Sequence, residues 1–171
     1  MKSLRSIRVV LGLVTVLAVG VLSTGSVGAV RIGDDEGCSP GFWKNNTGAW
    51  QEYAPGDRVD SVFTIPAAFS ELADDTLLTA LNYGGGPGAI GKAKLTLHHA
   101  VAAVLNAASE DIGYPYRRFD APLGIVPSVN SALASGNGDV MLDVKDVLDE
   151  ANNLGCPLSA DESNKAPKSK N

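Results

Sequence analysis

The chain has 171 residues and a formal net charge of −5. Its length suits a single domain. The acidic balance disfavours nucleic acid as a partner, because phosphates repel an anionic protein, and it disfavours anionic membrane surfaces for the same reason.

Residues 1–29 have the pattern of a secretory signal peptide. Residues 2–8 carry three cations, and an uncharged apolar stretch follows over residues 9–22. That stretch is shorter than the roughly 20 residues that a membrane-spanning helix needs, and the small residues at 27–29 form a cleavage pattern. We predict a secreted, extracellular protein without a stable membrane anchor, and an uncleaved anchor is the alternative. Cleavage would change the formal charge from −5 to −8.

Two cysteines, Cys38 and Cys156, lie near the two ends of the predicted mature domain, residues 30–158. In an oxidising compartment, the simplest outcome is a disulfide bond that joins these ends. Free thiols and a zinc site with His98 and His99 are the alternatives. Zinc-finger ligands come in closely spaced pairs, which these cysteines do not form. We therefore predict a disulfide, with no metal and no cofactor.

Four aromatic residues lie close to Cys38 in the sequence. Aromatic side chains beside a disulfide usually belong to the core, because each ring buries about 150–250 Å². An exposed cluster would instead be the candidate ligand-binding surface. The four residues are Phe42, Trp43, Trp50 and Tyr53.

Helical periodicity dominates the rest of the chain and predicts an all-α fold. Apolar residues three and four positions apart predict a helix over residues 89–108, and its other positions are also largely apolar. A helix of that kind is usually surrounded by others, so we expect it at the centre of the core. Two further helices are predicted over residues 74–83 and 139–153, each starting at an aspartate that can serve as N-cap.

Shorter helical pieces are predicted over residues 47–53, 66–72 and 127–135, because prolines near two of these starts fit the first helical turn. Residues 58–65 give the one short strand candidate.

The glycine-rich segment over residues 84–92 contains a G-x-G-x-x-G pattern at Gly86, Gly88 and Gly91. Nucleotide-binding loops of this kind follow a strand, whereas the preceding residues here have a helical pattern. We therefore predict a flexible stop between two helices and no nucleotide.

His98 and His99 are weak candidates for a general base, with Asp111 or Glu110 as the acidic partner. A hydrolase would also need a nucleophile, and no Gly-x-Ser-x-Gly elbow is present. We therefore assign no catalytic residue. Carboxylates at residues 34–36 and 139–150 raise calcium binding as an alternative, although only a fragment of a calcium loop is present.

The last residues, 159–171, are polar and lysine-rich. They lack the apolar side chains that offset the entropy of ordering, so we predict a disordered tail.

The opening run Cys38-Ser39-Pro40-Gly41-Phe42-Trp43-Lys44-Asn45 resembles a secreted prokaryotic domain of unknown function, and we expect a bacterial protein. That domain opens with a Cys-Thr/Ser-Pro-Gly-Phe/Tyr-Trp-Lys-Asn-His type of motif and closes with Gly-Cys-Pro. Residues 77–86, 99–108 and 151–158 are similar to it as well. The resemblance implies an exported protein, sometimes placed beside surface-attachment modules, with no established activity. The chain departs from the motif at Asn46, where His is usual, and residues 117–128 differ from the usual continuation.

Taken together, the sequence predicts a secreted, non-enzymatic binding or structural module of the extracellular space or cell surface. Its partner would be an extracellular ligand or matrix component. The alternatives are a secreted hydrolase that uses a His/carboxylate pair and a calcium-dependent surface protein.

Overall fold

A computed structural model describes residues 35–159. The predicted signal peptide and the predicted tail beyond Ser159 lie outside these residues. Within them the chain forms five α-helices, and none is both long and apolar enough to cross a membrane. The helices are α1 Pro40–Asn45, α2 Leu77–Ala80, α3 Gly88–Ala108, α4 Ile125–Ser135 and α5 Gly138–Asn152.

The remaining regular structure consists of short 3₁₀ helices at Thr47–Ala49, Val59–Ser61, Ala67–Leu72 and Pro157–Ser159. The described residues contain no strand, only two isolated bridges, so the all-α prediction is confirmed for this part of the chain.

The predicted strand over residues 58–65 is wrong. Val59 and Phe63, four positions apart, are both buried, and the Phe63 N–H donates to the Val59 carbonyl over 2.9 Å. Spacing by four places both side chains on the same side of a helical turn, whereas a strand of this register offers no such backbone bond. The pattern of this short segment was therefore helical.

The helix α3 forms the centre of the domain, as its sequence predicts. It packs against α1, α2, α4 and α5, and Ala93, Leu97, Ala100 and Val101 are among its many buried residues. The glycine-rich segment precedes it. A Cβ on Gly91 would lie 2.1 Å from the Gly86 carbonyl oxygen, so this glycine is required by close backbone packing. The helix before that segment is α2, and a nucleotide loop would need a strand there.

The two other predicted helices are present with different starts. The N-cap of α2 is Thr76, whose Oγ1 accepts from the Thr79 N–H over 3.0 Å, and the helix is shorter than predicted. The N-cap of α5 is Asn137, whose Oδ1 accepts from the Asp139 N–H over 2.9 Å. The predicted aspartate N-caps are therefore wrong. Thr76 and Asn137 occupy the N-cap positions instead, and their side-chain oxygens accept the hydrogen bonds from the first helical turn.

The helices α3 and α5 run in the same direction. The Thr96 hydroxyl in the first half of α3 donates to the Met141 carbonyl near the start of α5 over 2.9 Å. Near the ends of both helices, Asn106 Nδ2 donates to Asn152 Oδ1 over 2.9 Å. The helix α4 carries the chain back from the end of α3 to the start of α5. It ends at Gly136, whose φ of +62° favours glycine.

The disulfide bond between Cys38 and Cys156 is present, as predicted. Beside it the Gly37 N–H donates to the Gly155 carbonyl over 2.9 Å. A Cβ on Gly37 would lie 2.1 Å from the Ala151 carbonyl oxygen, so only glycine lets the first segment lie this close to α5. The two ends of the domain are therefore joined by a covalent bond and by backbone contact.

The side chain of Asn106 connects the first segment to α3. Its Oδ1 accepts from the Cys38 N–H over 2.8 Å and from Trp43 Nε1 over 3.0 Å. Its Nδ2 donates to the Cys38 carbonyl over 2.9 Å. One buried amide thus pairs both backbone polar groups of Cys38, as a neighbouring strand would.

The same network continues to α5 through Asn152. Its Oδ1 accepts from Asn106 Nδ2 and from the Tyr114 hydroxyl, each over 2.9 Å, and its Nδ2 donates to the His99 carbonyl over 3.0 Å. Both asparagines are fully buried. All of their amide hydrogen-bonding groups that face the interior have partners, which is the condition under which buried polar groups stabilise a fold.

We expect Asn106→Asp to destabilise the domain increasingly as the pH rises. The new carboxyl would keep one acceptor oxygen, but its second oxygen would face the Cys38 carbonyl and Asn152 Oδ1. Two facing acceptors disfavour the carboxylate, so its folded-state pKa lies above the unfolded value of about 3.9. A group with a raised pKa contributes stability below its unfolded pKa and loses that contribution as the pH rises.

Urea unfolding of Asn106→Asp between pH 4 and pH 8 measures this effect. The matched control is Asn82→Asp, since Asn82 is exposed and its Nδ2 donates only to the Leu78 carbonyl. Equal pH dependence in the two variants would contradict the role assigned to Asn106.

Candidate functional site

Within the aromatic cluster near Cys38, Trp43 belongs to the core. This side chain is fully buried, because Asn106 supplies a buried acceptor for its Nε1–H. Trp50 packs beside it, and its Nε1 donates to the Trp43 carbonyl over 3.0 Å. Trp43 therefore cannot form a binding surface, and the prediction of such a role for it is corrected.

The other three aromatic residues of the cluster are half-buried. Phe42 makes an edge-to-face contact with Trp43, with 5.3 Å between ring centroids. The Tyr53 ring lies 5.7 Å from the Arg118 guanidinium, and its hydroxyl accepts from Arg118 Nη1 over 3.1 Å. With Trp50, these rings are partly buried and pack against the core.

The histidines lie between α3 and its neighbours. The rings of His98 and His99 are nearly perpendicular, with 4.8 Å between centroids. The carboxylate that faces His99 is Asp149 on α5, whose Oδ1 is 3.5 Å from His99 Nδ1. This distance is at the outer limit for a hydrogen bond, and neither His98 Nδ1 nor His99 Nδ1 makes one.

The carboxylates predicted from sequence as partners of the histidines have other contacts. Asp111 accepts from Gln51 Nε2 over 3.3 Å, and the Glu110 N–H donates to Gln51 Oε1 over 3.0 Å. Within residues 35–159, neither histidine ring is hydrogen-bonded to a Ser, Thr or Tyr hydroxyl. The pair that the fold creates is therefore His99 with Asp149, without a nucleophile.

Burial favours the neutral form of both imidazoles. It lowers the pKa of His98, which the carbonyls of Ala80 and Leu81 partly oppose. Burial also lowers the pKa of His99 to about 4, although Asp149 acts in the opposite direction. The neutral form is typical of a histidine that packs between helices.

Two neighbouring clefts open beside the loop between α3 and α4, and the second lies where this loop meets α5. The first has a volume of about 390 Å³ and a polar edge formed by Arg117 and Asp120. The second has a volume of about 400 Å³ and is mainly apolar. Tyr116 lines both clefts. We name the second the valine groove; it is lined by Tyr116, Leu123, Ile125, Ser128, Asp143, Val144, Val147 and Leu148.

The loop beside the valine groove is held in place at several points. Arg118 donates to both carboxylate oxygens of Glu52, over 2.7 and 2.9 Å, and Glu52 itself has a φ of +61°. The N–H groups of Ile125 and Val126 donate to the carbonyls of Arg117 and Arg118, each over 2.9 Å. A loop restrained by bidentate and backbone bonds needs less backbone ordering when it binds a partner.

Apolar side chains are exposed at the valine groove. Leu123 is 53% exposed and Val147 is 49% exposed. Sequence reasoning missed this site. The available signal was the stretch 117–128, which differs from the continuation that the resemblance implies.

No group of three His, Cys, Asp or Glu side chains in the described part of the chain is arranged to hold a metal ion. On α5, Asp139, Asp143, Asp146 and Glu150 are exposed, whereas Asp149 faces His99. The calcium alternative therefore gains no site from residues 35–159.

We expect the titration of His99 to make the folded domain less stable as the pH falls. Because the folded state lowers its pKa to about 4, the stability it contributes is fully present above the unfolded pKa of about 6.5. It is lost as the pH falls from there toward 4. The variant His99→Gln removes this titration, so it should lose less stability than the wild type between pH 7 and pH 4.5.

Chemical denaturation of the wild type and His99→Gln at several pH values measures the difference. His98→Gln serves as the matched control on the adjacent position, and its profile should lie closer to that of the wild type. An unchanged slope for His99→Gln would rule out this contribution.

No protein-family model, no curated protein and no solved structure matches the chain.

Proposed function

We propose that the protein is a secreted, non-enzymatic binding module of the extracellular space or cell surface, and that the valine groove is its binding surface. The single observation that carries this proposal is the exposure of Leu123 and Val147 at a concave site on a tightly held scaffold. Concave apolar sites of about 300–1,000 Å³ are the usual form of binding pockets.

Secretion is supported by two independent features. The basic and apolar segments within residues 1–29 fit a signal peptide. The Cys38–Cys156 disulfide is of the kind that persists in oxidising compartments.

The hydrolase alternative has less support. Neither His98 nor His99 lines either of the two clefts, and His99 Nδ1 faces Asp149 across the packed contact of α3 with α5. A general base must reach the proton that it removes, and these rings are turned into helix packing. A binding role needs no such group.

The neutral apolar dye Nile red provides a test that assumes nothing about the natural partner. We expect saturable binding to the wild type and at least tenfold weaker binding to Val147→Asp. A buried valine contributes about 1.5–3 kcal/mol to an apolar contact, and about 1.4 kcal/mol is tenfold in affinity. Stability should stay within about 1 kcal/mol of the wild type, because Val147 is not in the core.

The matched control is Leu154→Asp, which removes an apolar side chain that is 37% exposed and lies outside the groove. It should leave dye binding unchanged. Absence of dye binding, or equal loss in both variants, would contradict the groove as a binding surface.

A further inference from the structure

The helix α5 has an apolar face that the rest of the described domain leaves partly uncovered. Val140, Val144 and Val147 are spaced by four and three positions, so they form one stripe along the helix. Val140 is 39% and Val147 is 49% exposed. The core contacts of α5 are made by Met141 and Leu148 instead, both of which are buried.

A stripe of carboxylates runs beside this valine stripe. The four acidic residues are also spaced by four and three positions, and they extend over about 16 Å of helix at 1.5 Å per residue. All four are exposed, and one of them lines the valine groove. The residues are Asp139, Asp143, Asp146 and Glu150.

Most of this negative charge is not neutralised by the domain. Asp146 contacts Lys145. Among the described residues, Asp139, Asp143 and Glu150 make no ion pair. An apolar groove with unpaired charge of one sign along its edge is complementary to a surface that combines apolar side chains with the opposite charge.

We propose that the valine groove binds a basic amphipathic peptide segment of a partner protein. The apolar side chains of the segment would lie against Val144, Val147 and Leu123, and its lysines or arginines would lie beside Asp139 and Asp143. An amphipathic helix that places its apolar face in a hydrophobic groove is a recurrent mode of peptide recognition. This inference rests on the proposed binding function and specifies its partner class.

The charge argues against other occupants of the groove. A second copy of the chain would bring a second carboxylate stripe close to the first, and like charges across an interface are unfavourable. An anionic lipid surface would be repelled for the same reason. Of these occupants, only a cationic amphipathic segment makes favourable contacts with both the valine stripe and the carboxylate stripe.

Two synthetic helical peptides test the proposal on the full mature chain. They share a leucine face, and the polar face is lysine in one and glutamate in the other. We expect the lysine peptide to bind at least tenfold more tightly at low salt, and its affinity to fall as salt rises. Val147→Asn, which removes the apolar contact without adding charge, should weaken it at least tenfold, as should loss of both carboxylates in D139N/D143N, which should also reduce the salt dependence.

The matched control is Glu71→Gln, which removes one negative charge beside Lys94 on α3 and should leave peptide binding unchanged. Equal binding of the two peptides, or lysine-peptide binding that is unchanged in both Val147→Asn and D139N/D143N, overturns the proposal. So does tighter binding of a synthetic peptide of residues 160–171, or a dimer that the lysine peptide dissociates.

The two hypotheses fail in different ways. A wild type that binds Nile red through Val147 but does not prefer the lysine peptide retains the binding function and loses the basic partner. A wild type that binds neither probe loses both.

Discussion

The fold depends on one buried amide, that of Asn106. It lies on a helix that is otherwise apolar on most sides, and it makes hydrogen bonds with both backbone groups of Cys38, with Trp43 and with Asn152. The net contribution of each bond is modest, about 1 kcal/mol, but an unmade bond at a buried site costs more. The amide therefore favours one arrangement of the first segment, α3 and α5, since any other position of Cys38 would leave several buried polar groups unpaired.

The disulfide bond and the Asn106 network act on different states of the chain. A cross-link over a loop of this length acts mainly on the unfolded chain, by up to about 5 kcal/mol in the chain-entropy model. It brings residues 38 and 156 together without selecting a register. The register comes from hydrogen bonds of the folded state and from Gly37, which leaves room for the Ala151 carbonyl. The disulfide thus keeps residues 38 and 156 close together, and the contacts of the folded state determine how the two segments are positioned.

The sequence predicted α3 and the disulfide because each has a local signal, periodicity for the helix and compartment for the disulfide. It allowed both a buried and a surface position for Trp43, because composition does not show which rings other elements cover. It did not predict the partners of Asn106 or the pairing of His99 with Asp149, because these join residues that are distant in sequence. The short helix α1 was missed although Ser39 and Pro40 form a recognisable start. The candidate site was missed for a further reason. Periodicity identifies the apolar positions of a helix, such as Val147, but gives no information on how much of that face other elements cover.

The exposure of the valine stripe follows from the same buried network. Asn152 is bonded to Asn106, Tyr114 and the His99 carbonyl, so the rotation of α5 about its axis is restricted. Val147 is five positions earlier, which places it about 140° away around the helix at 100° per residue. Turning Val147 into the core would break the bonds of Asn152 and expose Met141, which is fully buried. The free energy gained by burying one valine is smaller than the cost of the several buried polar groups that such a turn would leave unpaired. The interaction that orders the core therefore also holds the valine groove open to a partner.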